Sequence, residues 1–202
     1  MIRDLDLSIE KIHVYKNGCM LYWKDGIDME YCKFCGDLRY KPTRDRNARR
    51  KKSPYAILRY LPLTPRVQRL YDSPAIPEHM TWHASHMTEE GSMCHPFDAK
   101  AWRHFDRTYS DFETGNVRLG HCIDGFAPHR QYGQTYSCWP VIITPYNLPP
   151  GMCMNSEYMF LTMVILGSSN PKRLIDVYLQ PLIEELLQLW HVGVRTHDHA
   201  MN

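Results

Sequence analysis

Residues Asn116 to Pro150 read NVRLGHCIDGFAPHRQYGQTYSCWPVIITPYNLPP, and the interpretation of this stretch decides the fold. Val117, Leu119 and Ile123 alternate with Arg118, Gly120 and Asp124, the pattern of a half-buried strand, and Asp124-Gly125 breaks it. A carboxylate is thereby set at a strand's end. After a polar turn around Gln131 to Gln134, the run Ser137 to Thr144 is rich in β-branched and aromatic residues and reads as a second strand closed by Pro145. The two predict a hairpin with Asp124 at its mouth. Asp-Gly by itself is also a strong turn signal, so the residue has a purely structural reading as well.

Working outward toward the C-terminus, Tyr158 to Leu166 is a continuous apolar run of nine residues ended by Gly167-Ser-Ser-Asn-Pro171. Its length and its closing Gly and Pro favour a third strand, buried on both faces. Ile175, Leu179, Leu182, Ile183, Leu186 and Trp190 then form a stripe at helical spacing, with Glu184, Glu185 and Gln188 off it. Pro181 predicts a helix that starts near Gln180 or is kinked there, and Gly193 is its stop. Strand, strand, strand, helix is the order that opens a ribonuclease-H-like fold.

Toward the N-terminus, Ala101, Trp102 and Phe105 mark a short amphipathic helix within Asp98 to Phe112. Trp82, His83, His86, Cys94 and His95 resemble a second metal cluster by composition, but histidines beside aromatics read as hydrogen-bonded packing residues. Ser53 to Leu70, broken by Pro62 and Pro65, reads as two short helices around a proline-fixed bend. Between Arg39 and Lys52, eight basic residues face the single acid Asp45 without apolar periodicity. That segment reads as a solvated linker whose dense end, Arg49, Arg50, Lys51 and Lys52, would attract phosphate backbones or an import receptor. The domain boundary is placed there.

Residues 1 to 38 form the first unit. Cys32-x-x-Cys35-Gly36 is a compact thiolate pair on a tight turn, and thiolates at that spacing reach one tetrahedral ion. With Cys19 and His13 they make a possible closed zinc site; the alternative is three reduced cysteines without metal. The chain has seven cysteines, an odd number, and Met1 to Asp6 lacks a signal peptide's apolar core. A disulfide framework is therefore not expected, nor is a membrane span, since no apolar run approaches about 20 residues. A net charge of +2 over 202 residues does not argue for nucleic acid by itself; only its local concentration does.

The same residues carry a resemblance. Asp124-Gly-Phe-x-Pro, Tyr136-Ser-x-Trp-Pro, Pro145-Tyr-Asn-Leu-Pro-Pro150 and Met152-Cys-Met154 resemble the core signature of the plant En/Spm-like, or CACTA, transposase family. Upstream, Glu10-Lys-Ile-His13, Cys19-Met-Leu-Tyr-Trp23, Cys32-x-x-Cys-Gly36, Leu58-Arg-Tyr-x-Pro-Leu63, Gln68-Arg-Leu70, Trp82-His83 and His95-Pro are similar to that family in the same order. Downstream, Asp176-Val-Tyr-Leu-Gln-Pro-Leu182 and Glu185-Leu186 through Trp190 continue it.

The resemblance implies an α+β chain: a zinc-ribbon-like unit (1–38), a basic linker (39–52), a helical connector (53–115) and an incomplete ribonuclease-H-like catalytic domain of three strands and a helix (116–202). It implies two-metal DNA cutting and joining in the complete enzyme, with magnesium held by three carboxylates of which Asp124 is the first. The second aspartate and the third acid would lie beyond Asn202, while Asp176 reads as a helix-entry residue and Asp198 as part of a tail. Here the expectation is a transposase fragment that binds no magnesium and is inactive alone, with a sheet that ends at an uncovered edge. In the family a cysteine stands where this chain has Tyr15. Asparagine, phenylalanine and glycine stand where it has Ala127, His129 and Arg130. The other reading is a non-catalytic, zinc-dependent DNA-binding or transposase-regulating module. Expected partners are DNA, through backbone contacts, and full-length transposase. The expected location is nuclear, or cytoplasmic if the basic linker is not an import signal.

Overall fold

The computed structural model describes residues 8–42, 52–89, 91–110, 112, 116–128, 136–167 and 171–199. Its strands are β1 (Glu10–Val14), β2 (Leu21–Tyr22), β3 (Ala56–Tyr60), β4 (Leu119–Ile123), β5 (Ser137–Pro145) and β6 (Phe160–Gly167). The helices are α1 (Thr64–Asp72), α2 (Pro77–Met80), α3 (Trp82–Ser85), α4 (Lys100–Thr108), α5 (Pro150–Cys153) and α6 (Ile175–His191). The strands form one sheet in the order β2-β1-β3-β6-β5-β4, and the β1–β2, β1–β3 and β3–β6 pairs are antiparallel. The fold class is thus α+β, and the three strands expected from residue 116 onward are joined by three more from the first 60 residues.

The strands β4, β5 and β6 fall where alternation and β-branching placed them. Thr162 and Met163, successive residues on opposite faces of β6, are both fully buried, so the middle of the strand is covered on both sides, whereas Leu161 and Leu166 toward its ends are exposed. One local expectation is corrected: the segment from Ser53 holds β3, not a first short helix. Leu58 and Tyr60 are buried while Arg59 between them is exposed, a period of two that a helix cannot satisfy, and β3 pairs with β1 on one side and β6 on the other. Only the second half of that segment is helical, as α1, with Pro65 in its first turn, where a missing N–H costs nothing.

By compactness the chain divides into two units, residues 1–62 with 123–141 and 162–191, and residues 63–122 with 142–161 and 192–202. In the first, Ile12, Val14, Leu58, Tyr60, Val141, Met163, Ile165 and Leu182 are buried. Each such side chain contributes about 1.5–3 kcal/mol of apolar transfer. Helix α6 begins at Ile175 and keeps Pro181 in its interior, so it does not start at Gln180; Gly193 follows its end with φ +75°. Its apolar stripe is less buried than the spacing predicts. Leu182 is 1% exposed, but Ile183 and Trp190 remain about half exposed.

In the second unit the core is Leu63, Leu70, Tyr71, Ile76, Met80, Trp102, Ile143, Leu148, Cys153 and Phe160. A buried amide ties its loops together. Asn147 Oδ1 accepts from the Arg118 backbone N–H at 2.7 Å, and its Nδ2 donates to the carbonyls of Asn116 at 3.0 Å and Met80 at 3.2 Å. Both donors and one of the two Oδ1 lone pairs of that amide are satisfied, which is how a fully buried polar side chain is tolerated.

Candidate metal centre and acidic site

The N-terminal strands build a small scaffold of two tight turns. After β1, Gly18 N–H bonds the Tyr15 carbonyl at 2.8 Å, and Gly18 takes φ +74°, delivering Cys19 just before β2. A Cβ on Gly18 would also press on the Tyr178 hydroxyl of α6, so glycine is required there twice over. The second turn lies inside a bridge between Tyr31 and Leu38. Cys32 N–H bonds the Asp37 carbonyl and Gly36 N–H bonds the Cys32 carbonyl, both at 2.8 Å, with Gly36 at φ +72°. That is the physical basis of the Cys-x-x-Cys-Gly spacing.

The turns bring three thiols to one point. Cys19 Sγ lies 3.4 Å from Cys32 Sγ and 3.4 Å from Cys35 Sγ, and the last two are 3.3 Å apart. Four zinc–sulfur bonds of about 2.3 Å in a tetrahedron would set sulfurs about 3.8 Å apart. The trio therefore fits a single ion after opening by a few tenths of an ångström. Among the described residues it is the one group of three or more His, Cys, Asp or Glu able to share an ion. Burial pushes the Cys32 thiol up, but the backbone N–H groups of Phe34 and Cys35, helped by the Cys35 and Cys19 thiols, outweigh it and leave Cys32 below its ordinary range. Burial and the two neighbouring sulfurs push Cys19 up to about 12. Three thiols so placed repel one another once ionised, and a divalent cation is the partner that relieves this.

His13 is not brought to the trio. Its Nδ1 accepts from Arg39 Nε at 3.0 Å, and its ring meets Tyr40 edge-on. Arg39 belongs to the segment expected to be a solvated linker, yet it is 8% exposed, donates to the carbonyls of Ile27 and Met29, and lies 4.6 Å over the Tyr22 ring. Sequence composition counted it as one more linker charge; its role is to hold the loop between the two turns. Of the basic run, Arg49, Arg50 and Lys51 lie outside the described residues, and Lys52 pairs with Glu30. Tyr15 is buried beside Cys32, and its hydroxyl donates to Asp37 Oδ2.

Asp124 stands exposed one residue beyond β4, with Oδ1 accepting the Gly125 N–H at 2.7 Å. Asp124-Gly125 is not the hairpin turn itself. Phe126 and Cys138 exchange two backbone hydrogen bonds beyond it, and Gly125 has no left-handed φ. Glycine is needed for another reason: a Cβ there would overlap the Trp139 indole. No group of three potential ligands forms around Asp124 among the described residues. Asp176 lies in the first turn of α6, where a carboxylate favours the helix dipole, and Asp198 sits near Tyr71.

The histidines upstream pack as aromatics. Trp82 stacks on His86 at 4.4 Å and meets His95 and Phe97 edge-on, while His83 meets Trp102 at 5.3 Å. A cavity of about 600 Å³ in the second unit is lined by His83, Phe97, Asp98, Trp102, Arg103 and Arg118 among others. Arg118 lies 4.1 Å over the Trp102 ring and pairs with Asp106. Nothing in the sequence flagged Arg118, because an arginine within a strand pattern is indistinguishable from a solvent-facing one.

Among the described residues no helix is long and apolar enough to cross a membrane. No curated protein and no solved structure matches the chain. The family model described as Transposase family tnp2 matches residues 90–202, more than half of the chain, and this span carries β4, Asp124, β5, β6 and α6. The chain belongs to the transposase family tnp2.

Proposed function

We propose that this chain is a portion of a cut-and-paste DNA transposase of the En/Spm-like, CACTA kind. On this reading β4, β5, β6 and α6 are the opening of a ribonuclease-H-like catalytic domain, and Asp124 is the first carboxylate of its two-metal site. The observation that carries it is an order. Three strands adjacent in sequence are adjacent in the sheet, a long helix follows, and an exposed aspartate closes the first strand within the family-matched span. In such a site one magnesium activates the attacking oxygen and another the leaving oxygen. Asp124 would bind one of them through a carboxylate oxygen, and a single carboxylate holds magnesium weakly because the ion keeps its waters. By itself, then, the chain does not cut or join DNA. Incubating it with supercoiled plasmid and magnesium or manganese tests this. Nicking that Asp124→Asn abolishes would show that the chain supplies a complete site.

The cysteine trio supports a second role, a zinc-stabilised unit that holds DNA without chemistry. Zinc would tie β1 and β2 to the 32–35 turn, and the basic run ending at Lys52 would meet phosphates and serve nuclear import. DNA affinity should then fall steeply with salt, and neutralising Arg49, Arg50, Lys51 and Lys52 should flatten the log–log slope by up to about 3.6. Salt-insensitive or absent binding removes this role. Binding to full-length transposase is tested by co-purification.

A further inference from the structure

The trio supplies three ligands, and a tetrahedral ion takes four. All seven cysteines of the chain are placed, and the other four lie outside the trio, so the fourth ligand is not another cysteine thiolate of this chain. His13 is held back by a buried network: Arg39 donates to it while bonding the Ile27 and Met29 carbonyls and covering Tyr22. Recruiting His13 would strip a buried guanidinium of a partner, a cost that an available oxygen ligand avoids. Oxygen is what lies beside the sulfurs. The Tyr15 hydroxyl, buried against Cys32, is close enough to Cys35 to interact with it and donates to Asp37. Asp37 is joined to the same turn through the bond from Cys32 N–H to its carbonyl. Its carboxylate is half exposed and also meets Lys16 at 3.4 Å, and Cys35 is exposed, so water reaches this side of the site.

We propose that Cys19, Cys32 and Cys35 bind a divalent, thiophilic cation as a three-sulfur, one-oxygen centre. Its fourth position is a water hydrogen-bonded to the Tyr15–Asp37 pair, exchangeable with a small thiol. The proposal rests on the reading of the trio as a metal centre. On binding, each thiol releases its proton to solvent and the hydrated ion gives up all but one of its waters; nothing is oxidised or reduced. Closed structural sites have four protein ligands, whereas an open position is what lets zinc take an external one. Asp37 would fix the water as an outer-shell carboxylate does.

The test uses the full chain loaded with one equivalent of zinc or cobalt(II) in thiol-free buffer. X-ray absorption at the zinc edge should give three sulfurs at about 2.3 Å and one light atom at about 2.0 Å, without the outer-shell signature of imidazole. The cobalt spectrum should be unchanged in His13→Ala and should shift on adding excess 2-mercaptoethanol. In Asp37→Asn the midpoint of that thiol titration should move at least threefold. Imidazole scattering that disappears in His13→Ala, four sulfurs in the untreated protein, or a spectrum that ignores added thiol would each overturn the proposal. Failure to bind either ion, with an unchanged circular dichroism spectrum, would remove the metal reading itself and the proposal with it. Exposed Cys35→Ser serves as the folded control that should lose the three-sulfur signature.

Discussion

Asn147→Ala is the substitution expected to cost this protein most for the fewest atoms removed. The side chain is fully buried and carries three hydrogen bonds, one accepted from Arg118 N–H and two donated to the Asn116 and Met80 carbonyls. At about 1 kcal/mol net each, their loss accounts for about 3 kcal/mol. The bond to Met80 is wholly buried, and leaving that carbonyl without a partner adds about 1–2 kcal/mol more. A total near 4 kcal/mol is a large share of the roughly 5–15 kcal/mol available to a domain. It corresponds to a fall in Tm of roughly 8–16 °C for a chain of this size. Urea titrations followed by circular dichroism and tryptophan fluorescence would measure it, as a lower midpoint at constant slope. Asn147→Asp separates hydrogen bonding from volume. It keeps an acceptor for Arg118 N–H but sets a carboxylate oxygen against two carbonyls, so it should be no more stable than the alanine variant at pH 7. A loss below about 1 kcal/mol for Asn147→Ala, or an aspartate variant as stable as the wild type, would refute the claim that this amide clamps the loop before β4.

Gly125→Ala should destabilise by about 1–3 kcal/mol, because the new methyl overlaps the Trp139 indole; a neutral outcome in thermal melts would mean that the ring can move aside. Burial lowers the pKa of His95, against the opposing pull of the Asp98 carboxylate and the Leu148 backbone; the residue is 4% exposed, its Nδ1 accepts from Phe97 N–H, and among the described residues its Nε2 meets no hydrogen-bond partner. A histidine kept neutral by the fold stabilises it above its unfolded value near 6.5, and that stability is lost as pH falls through the depressed folded value. Unfolding free energy should therefore drop between pH 7 and 5, with a shallower drop in His95→Ala. Thr162→Val removes a buried donor to the Val141 carbonyl at 3.0 Å while keeping the volume; the expected cost is about 1–3 kcal/mol in the same denaturant assay. Removing metal with a chelator should loosen β1, β2 and the 32–35 turn, seen as faster amide exchange at Cys32 and Gly36, whose N–H groups close that turn.

Much of this is legible in the sequence. The alternation before Asp124, the β-branched run from Ser137 and the nine-residue apolar run from Tyr158 are local patterns, and each became the strand it predicted. The glycine after Cys35 likewise signals a turn, because tolerance of a left-handed φ is a property of the residue itself. Strand β3 is not legible locally, because Ile57, Leu58 and Leu61 fit helical spacing as well as a strand's, and only pairing with β1 and β6 decides between them. For α6 the apolar stripe fixed the helix but not its cover, since spacing says which side is apolar and not what packs on it.

By itself, then, the sequence determined the type and order of β4, β5, β6 and α6, the Cys-x-x-Cys-Gly turn and the likeness to a transposase, all carried by residues close together in the chain. Tertiary structure alone decided that β1 to β3 join the same sheet and that Cys19 meets Cys32 and Cys35. It also decided that Arg39 is a buried strut which takes His13 away from them, and that Gly125 serves close packing on Trp139 rather than a turn. The physical reason is common to all four. Dihedral preferences and periodicity act over a few residues and are written in the chain, whereas hydrogen bonds and contacts between distant segments depend on which surfaces the fold brings together, and the same arginine or glycine serves either outcome.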